Sequence, residues 1–254
     1  MNALRPIALL WSLTVLTSLL ALWWVASTGQ WVSKVFLPTP GAAWDSLAEG
    51  LLHGELAGFT SATVVRMAQG WVLASGVGIA LGAAIGVSAQ ARAYLQPTLE
   101  FIRPLPASAI IPLAIAIWGL SPAMVLSVVA FGALWPVLLA TVHGFASVEP
   151  RLSEVARCLG MSRAAYVWKI GLPNALPDIL AGMRLSMTVS LIVTVVGEMI
   201  ASQAGLGQAI LLAARSFRAS ELFAGIVLLG AIGFLSNALL ALIERHLLRW
   251  QRPH

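Results

Sequence analysis

Long apolar runs separated by short polar segments set the pattern of this chain. The first run extends from Ile7 to Val25, behind Arg5. It exceeds the apolar core of about 7–15 residues of a cleavable leader, so it is expected to stay as a membrane span. A second run covers about Val64 to Ser88, and a third opens at Arg103-Pro104-Leu105-Pro106 and ends near Gly119. The fourth covers about Ala123 to Thr141, the fifth about Ile179 to Ser202, and the sixth Leu222 to Ile243, with Ser220 placed to cap it. Each is close to the roughly 20 apolar residues that cross a bilayer as a helix. The pattern predicts an all-α membrane protein of six spans, with residues 1–254 as a single domain.

The segments between the runs carry their own signals. Leu37-Pro38-Thr39-Pro40 is an expected extended connector. After it, Trp44, Leu47, Ala48, Leu51 and Leu52 recur at helical spacing and predict a short interfacial helix. Trp23, Trp24 and Trp31 suit the interface at the end of the first run. Residues 89–104 read as a polar connector. Pro104 and Pro106 suit a first helical turn, whereas Pro112 and Pro136 lie deeper and are expected kinks. Leu206 to Ala214 predicts a short apolar helix in a loop.

Two spans carry a four-residue repeat. Gly70, Ala74, Gly78, Gly82 and Gly86 line the second run, and small residues at that spacing let another helix approach closely. A partner helix within the chain is the expected use, and a seam between two copies the alternative. Arg66, near the start of the same run, is expected to snorkel to the interface. On the fifth run, Ser186, Ser190, Thr194, Glu198 and Ser202 form one ridge. Ser190, Thr194 and Glu198 are candidates for a wet translocation path. Alternatively, the hydroxyls bond their own i−4 carbonyls. A carboxylate at membrane depth is costly and faces a bundle interior, so Glu198 either lines a path or holds helices together.

One charged stretch, Glu154 to Pro173, stands between the fourth and fifth runs. Leu152, Val155, Ala156 and Leu159 fall at i, i+3, i+4, i+7 and predict a short amphipathic helix. Pro150 suits its first turn and Gly160 its left-handed stop. Ser162 can cap a second short helix, which Pro173 bars from continuing unbroken. The prediction is helix, glycine turn, helix at a membrane surface.

Composition excludes a soluble domain. The chain is 59% hydrophobic and 10% charged, with mean hydropathy +0.89, against about 25% charged residues in a soluble protein. The net charge of +5 therefore records topology, not affinity for nucleic acid. With both termini inside, eleven of the fifteen Lys and Arg residues lie in or beside inner segments: Arg5, Arg92, Arg103, Arg151, Arg157, Arg163, Lys169, Arg184, Arg245, Arg249 and Arg252. Lys34, Arg66, Arg215 and Arg218 are left outside. The asymmetry predicts N-in, C-in, with residues of about 144–177 in the cytoplasm. Cys158, the one cysteine, is then a reduced thiol. No Gly-x-x-x-x-Gly-Lys-Ser/Thr loop is present, so ATP hydrolysis by that route is excluded. No catalytic residue, metal site or cofactor is assigned.

Glu154, Ala156, Gly160, Ile170, Leu172 and Pro173 stand in the order and spacing of the EAA loop. In this the segment resembles the membrane subunits of binding-protein-dependent ABC importers, with Val155 where alanine is usual. Leu-Pro-x-Pro at 37–40, Arg103-Pro104-Leu105-Pro106 with Pro112, and Glu198 to Ser202 followed by Gly205-Leu206-Gly207 resemble the sulfonate, taurine and nitrate branch. Gly119-Leu120-Ser121-Pro122 departs from the Gly-x-Gly-Glu turn frequent there, so no role is carried over to it. The resemblance implies a type I, MetI-like permease fold in a bacterial inner membrane, surrounded by lipid. It implies that Glu154 to Pro173 is a coupling helix docked in a groove of an ATP-binding subunit. It also implies two copies of that subunit and a solute-binding protein outside. Half a path per chain predicts a homodimer. The implied cargo is a small organic or inorganic anion such as a sulfonate, taurine or nitrate, with a pyrimidine-type vitamin precursor as the alternative.

Two other classes fit less well. A transporter driven by an ion gradient would show interrupted helices and several midplane carboxylates, and Glu198 alone lies inside a predicted span. An intramembrane protease would need a nucleophile elbow or a serine with a histidine partner, and neither pattern is present.

Overall fold

The computed structural model describes residues 4–29 and 31–249. Arg252, counted above among the inner cations, lies outside them. Among the described residues the regular structure is all helical, without strands. In order they form α1 (Leu4–Thr28), α2 (Pro40–Leu52), α3 (Leu56–Gly86), α4 (Ala89–Ile102), α5 (Ala107–Trp118) and α6 (Pro122–Ala146). After these come α7 (Pro150–Cys158), α8 (Arg163–Tyr166), a π-helical turn (Val167–Gly171), α9 (Leu172–Ala201), α10 (Leu206–Arg215) and α11 (Ala219–Leu247).

Local chemistry starts several of these helices. Thr39 caps α2 by accepting from the Ala42 N–H, with Pro40 in the first turn. Ser121 caps α6 in the same way through Met124, again followed by a proline. The sixth predicted span is present as α11, but Ser220 lies inside its first turn, and no side chain caps the helix at Arg218.

Among the described residues, four helical stretches are long and apolar enough to cross a membrane: α3, α6, the continuous Arg163–Ala201 stretch, and α11. The predicted third span differs. Residues 89–102 are a helix and not a connector, because Ser88 caps it and Gln96 donates to Glu100 one turn on. The chain then bends by 88° before α5. Arg103 to Pro106 makes the corner: Arg103 keeps helical geometry, the Leu105 N–H turns back to the Ile102 carbonyl at 3.0 Å, and Pro106 is extended, with ψ 134°. α5 has 12 residues, about 18 Å of helix, too short to cross a core of about 30 Å alone. The first predicted span lies in α1, 25 residues long.

The core is a layer of three helices, with α6 between α3 and α9. The small-residue repeat of α3 lies against α6. A Cβ on Gly70 would meet Val129, one on Gly78 Val137, one on Gly82 Thr141, and one on Gly86 Phe145. Both partners advance in the same direction, so the two helices run parallel. At Gly82 the added carbon would sit 2.8 Å from the Leu138 carbonyl oxygen, which is backbone and cannot move aside. The repeat is therefore an intrachain seam. α9 packs on the other side of α6 in the opposite direction, with Gly144 on Ala175, Gly182 on the Pro136 carbonyl and Gly197 on Val125.

α1 and α11 lie at the periphery and expose much of their apolar surface. Trp23 donates its indole N–H to the Pro38 carbonyl at 2.9 Å and stacks on Phe223 at 5.3 Å. Arg184 pairs with Glu244, joining α9 to α11.

Candidate functional site

The segment between α6 and α9 is built from two short helices and a left-handed stop. Gly160 has φ +63°. Its N–H donates to the Arg157 carbonyl and the Met161 N–H donates to the Ala156 carbonyl, both at 3.0 Å. These two bonds make a Schellman termination of α7. A Cβ at Gly160 would meet nothing within 4 Å, so backbone sign alone restricts the position. Ser162 then accepts from the Ala165 N–H at 3.2 Å and starts α8. The Ser153 and Tyr166 hydroxyls meet at 3.0 Å and brace one helix against the other.

The second helix does not stop at Pro173. It passes through the π turn into α9, making one 39-residue helix from Arg163 to Ala201. The Leu172 N–H bonds to the Val167 carbonyl, five residues back. This wider turn sits where the proline ring would otherwise strike the carbonyl four residues before it. Ile170 is half-buried in the π turn, Leu172 packs against the buried Phe145, Ala175 and Ile179, and Pro173 is exposed. Asn174, which its sequence gave no reason to single out, donates to the Gly144 carbonyl at 3.0 Å and to Ser147 at 3.1 Å. It ties the root of α9 to the end of α6.

The six motif residues thus fall in two groups. Glu154, Ala156 and Gly160 belong to α7 and its stop, while Ile170, Leu172 and Pro173 form the root of a span. On α7, Ala156 points inward at 3% exposure, whereas Leu152, Val155 and Leu159 are 45%, 54% and 71% exposed. Glu154 is also exposed. An apolar stripe left open on a charged loop is the kind of surface that meets a partner protein or a membrane.

The ridge on α9 faces the interior of the chain. Ser186, Ser190, Thr194 and Glu198 are wholly buried within the chain. Ser186 donates to the Ala133 carbonyl on α6 at 2.7 Å, an interhelical bond and not an i−4 one. The Ser190 and Thr194 hydroxyls have no partner among the described residues. Ser202, in left-handed conformation, ends the helix.

Glu198, on α9, is held by residues from two other helices, α3 and α10. Arg66 of α3 pairs with it, Thr63 donates to it at 3.0 Å, and the Gly207 N–H at the start of α10 donates at 2.9 Å. Thr63 also accepts from the Leu206 N–H at 2.9 Å. Arg66 reaches on to the Ala204 carbonyl. Gly205 and Gly207 leave the space for this: a Cβ on Gly205 would lie 2.4 Å from the carboxylate, and one on Gly207 would lie 2.3 Å from the Val195 carbonyl oxygen. The expectation that Arg66 snorkels is thereby corrected. A buried carboxylate offers an arginine a stronger partner than interfacial water. The available clue was Thr63 and Arg66, one turn apart in an apolar run, facing a lone acid elsewhere.

Comparison with known proteins gives the family. Residues 76–252 match the family described as "Binding-protein-dependent transport system inner membrane component". The chain is 34% identical over 236 residues to the putative aliphatic sulfonates transport permease protein SsuC of Bacillus subtilis (strain 168), covering 93% of this chain and 86% of that one. It is 31% identical over 244 residues to the taurine transport system permease protein TauC of Escherichia coli (strain K12), covering 94% and 89%. It is 30% identical over 230 residues to the nitrate import permease protein NrtB of Leptolyngbya laminosa, covering 89% and 82%.

Proposed function

The chain belongs to the binding-protein-dependent transport system inner membrane components, and from that premise we propose that it carries a small organic or inorganic anion and is driven through its α7–α8 loop. It is a multi-pass inner-membrane protein, the transmembrane subunit of an ABC importer. An ATP-binding subunit and a solute-binding protein complete such an importer. The observation that carries the coupling role is the open stripe Leu152, Val155 and Leu159 beside the exposed Glu154. The Schellman stop at Gly160 aims this helix, and the roots of α9 at Ile170, Leu172 and Pro173 receive its motion. The anion reading draws on the relatives named for sulfonates, taurine and nitrate. Two copies of the chain and two ATP-binding subunits make the working assembly in this reading. Ser190, Thr194 and Glu198 serve the path by fixing how α9 packs, not by touching cargo.

Reconstitution with the ATP-binding subunit and the solute-binding protein tests the reading. Uptake of labelled taurine, an alkanesulfonate or nitrate is expected only when ATP is supplied on the loop side. Uptake that survives without ATP and collapses with an ion gradient would replace the importer with a secondary transporter.

The proposed orientation puts both termini and residues 144–177 in the cytoplasm, following the Lys and Arg asymmetry. In a Cys158→Ser background, Glu49→Cys on α2 should react with an impermeant maleimide added to intact cells. Reaction only from the cytoplasmic side would invert the orientation.

A further inference from the structure

A groove of about 530 Å³ opens between the α4–α5 corner, α6 and α9. Leu185, Val189 and Ile192 line it and share one face of α9, at i, i+4 and i+7. This is not the face of the buried ridge. Leu185 is 64% exposed and Ile192 58%. Gly132 opens the floor, where a Cβ would press on Ala107 of α5 at 2.9 Å.

Two polar groups line this groove, and neither is an acceptor. Arg103 sits on the corner set by Pro104 and Pro106, exposed and outside every ion pair among the described residues. Its acidic neighbour Glu100 already accepts from Gln96. Trp135 is 9% exposed, and its indole N–H is buried with no acceptor. No carboxylate lines the groove. A fixed cation in a low-dielectric cleft concentrates anions, and here nothing opposes it.

We propose that this groove is one wall of the solute path and that Arg103 is an anion-attracting station at the mouth nearest α7. The direction of travel rests on the importer reading above, but the charge preference of the groove does not. Lipid phosphates offer the same anionic oxygens as a free sulfonate, so the test separates a watery groove from a lipid-facing one.

Leu185→Cys and Ile192→Cys are introduced singly into Cys158→Ser protein, assembled with its ATP-binding subunit in inside-out vesicles. Each is treated with methanethiosulfonate reagents carrying an ethylsulfonate or an ethyltrimethylammonium group. Rates are normalised to a free thiol in solution. The sulfonate reagent should modify Leu185→Cys about tenfold faster than the cationic one, as expected for one focused charge. Arg103→Gln should bring the ratio close to one, and Arg103→Lys should keep most of it. A lipid headgroup on Arg103 would instead leave both thiols beyond either water-borne reagent, which would overturn the proposal. A ratio that Arg103→Gln does not change would overturn it as well. Failure of ATP-driven sulfonate uptake would sink the importer reading and leave this ratio untouched.

Discussion

Glu198→Ala should destabilise the folded protein by about 3–5 kcal/mol, because it leaves the Arg66 guanidinium buried and uncompensated. The Arg66 side chain is 14% exposed and the Glu198 side chain 0%, so solvent screens neither. Arg66→Met should cost less, since Thr63 and the Gly207 N–H still donate to the carboxylate. The double variant Arg66→Met/Glu198→Leu should recover most of the loss, because an apolar pair of similar volume needs no charge compensation. Thermal unfolding of detergent-purified wild type, Arg66→Met, Glu198→Leu and the double variant closes the cycle. Protease cleavage near residues 202–205 gives a local readout, because α10 is tied down through Glu198. Losses that simply add across the two sites would mean that the ion pair contributes nothing of its own.

Gly160→Val should leave membrane levels near wild type and cut uptake about tenfold. A β-branched residue at φ +63° carries about 1–2 kcal/mol of strain, and 1.4 kcal/mol is a factor of ten in an equilibrium constant. Space is not the obstacle, because nothing lies within 4 Å of the added carbon. The strain is relieved by re-aiming α7 and its open stripe, so pull-down of the ATP-binding subunit should weaken in parallel. Gly160→Asn, which tolerates the left-handed region, should keep most of the activity. Glu154→Lys tests the same face by reversing an exposed charge. Wild-type partner binding and uptake in both Gly160→Val and Glu154→Lys would remove the coupling role. Lower membrane levels with unchanged transport per molecule would make Gly160 a folding residue only.

The legible features are those set by local spacing. The apolar runs gave helices, the four-residue repeat gave a close helix contact within the chain without naming its partner, and Gly160 gave a left-handed stop. Each depends on residues within a few turns of one another. The pairing of Arg66 with Glu198 spans 132 positions, and helical period alone cannot bring two such residues together. Periodicity also placed Ser190, Thr194 and Glu198 on one ridge but could not say which neighbour that ridge meets. It meets the interior, while the opposite trend at Leu185 and Ile192 stays open. The passage through Pro173 was hidden for another reason. A π turn has no composition of its own, so a proline that ordinarily ends a helix gave no sign of the wider turn that absorbs it.

That wider turn gives α9 a mechanical character. The stretch from Arg163 to Ala201 has 39 residues, about 58 Å of rod. It is seated on α6 near the middle, where Gly182 rests on the Pro136 carbonyl, and again at Ala175 and Gly197. One end carries α8, braced to α7 through Ser153 and Tyr166, and the other carries Glu198 and the tie to α10. In the proposed coupling, a push at α8 is carried along this single helix to Glu198, so one rod links the loop to the tie at its far end.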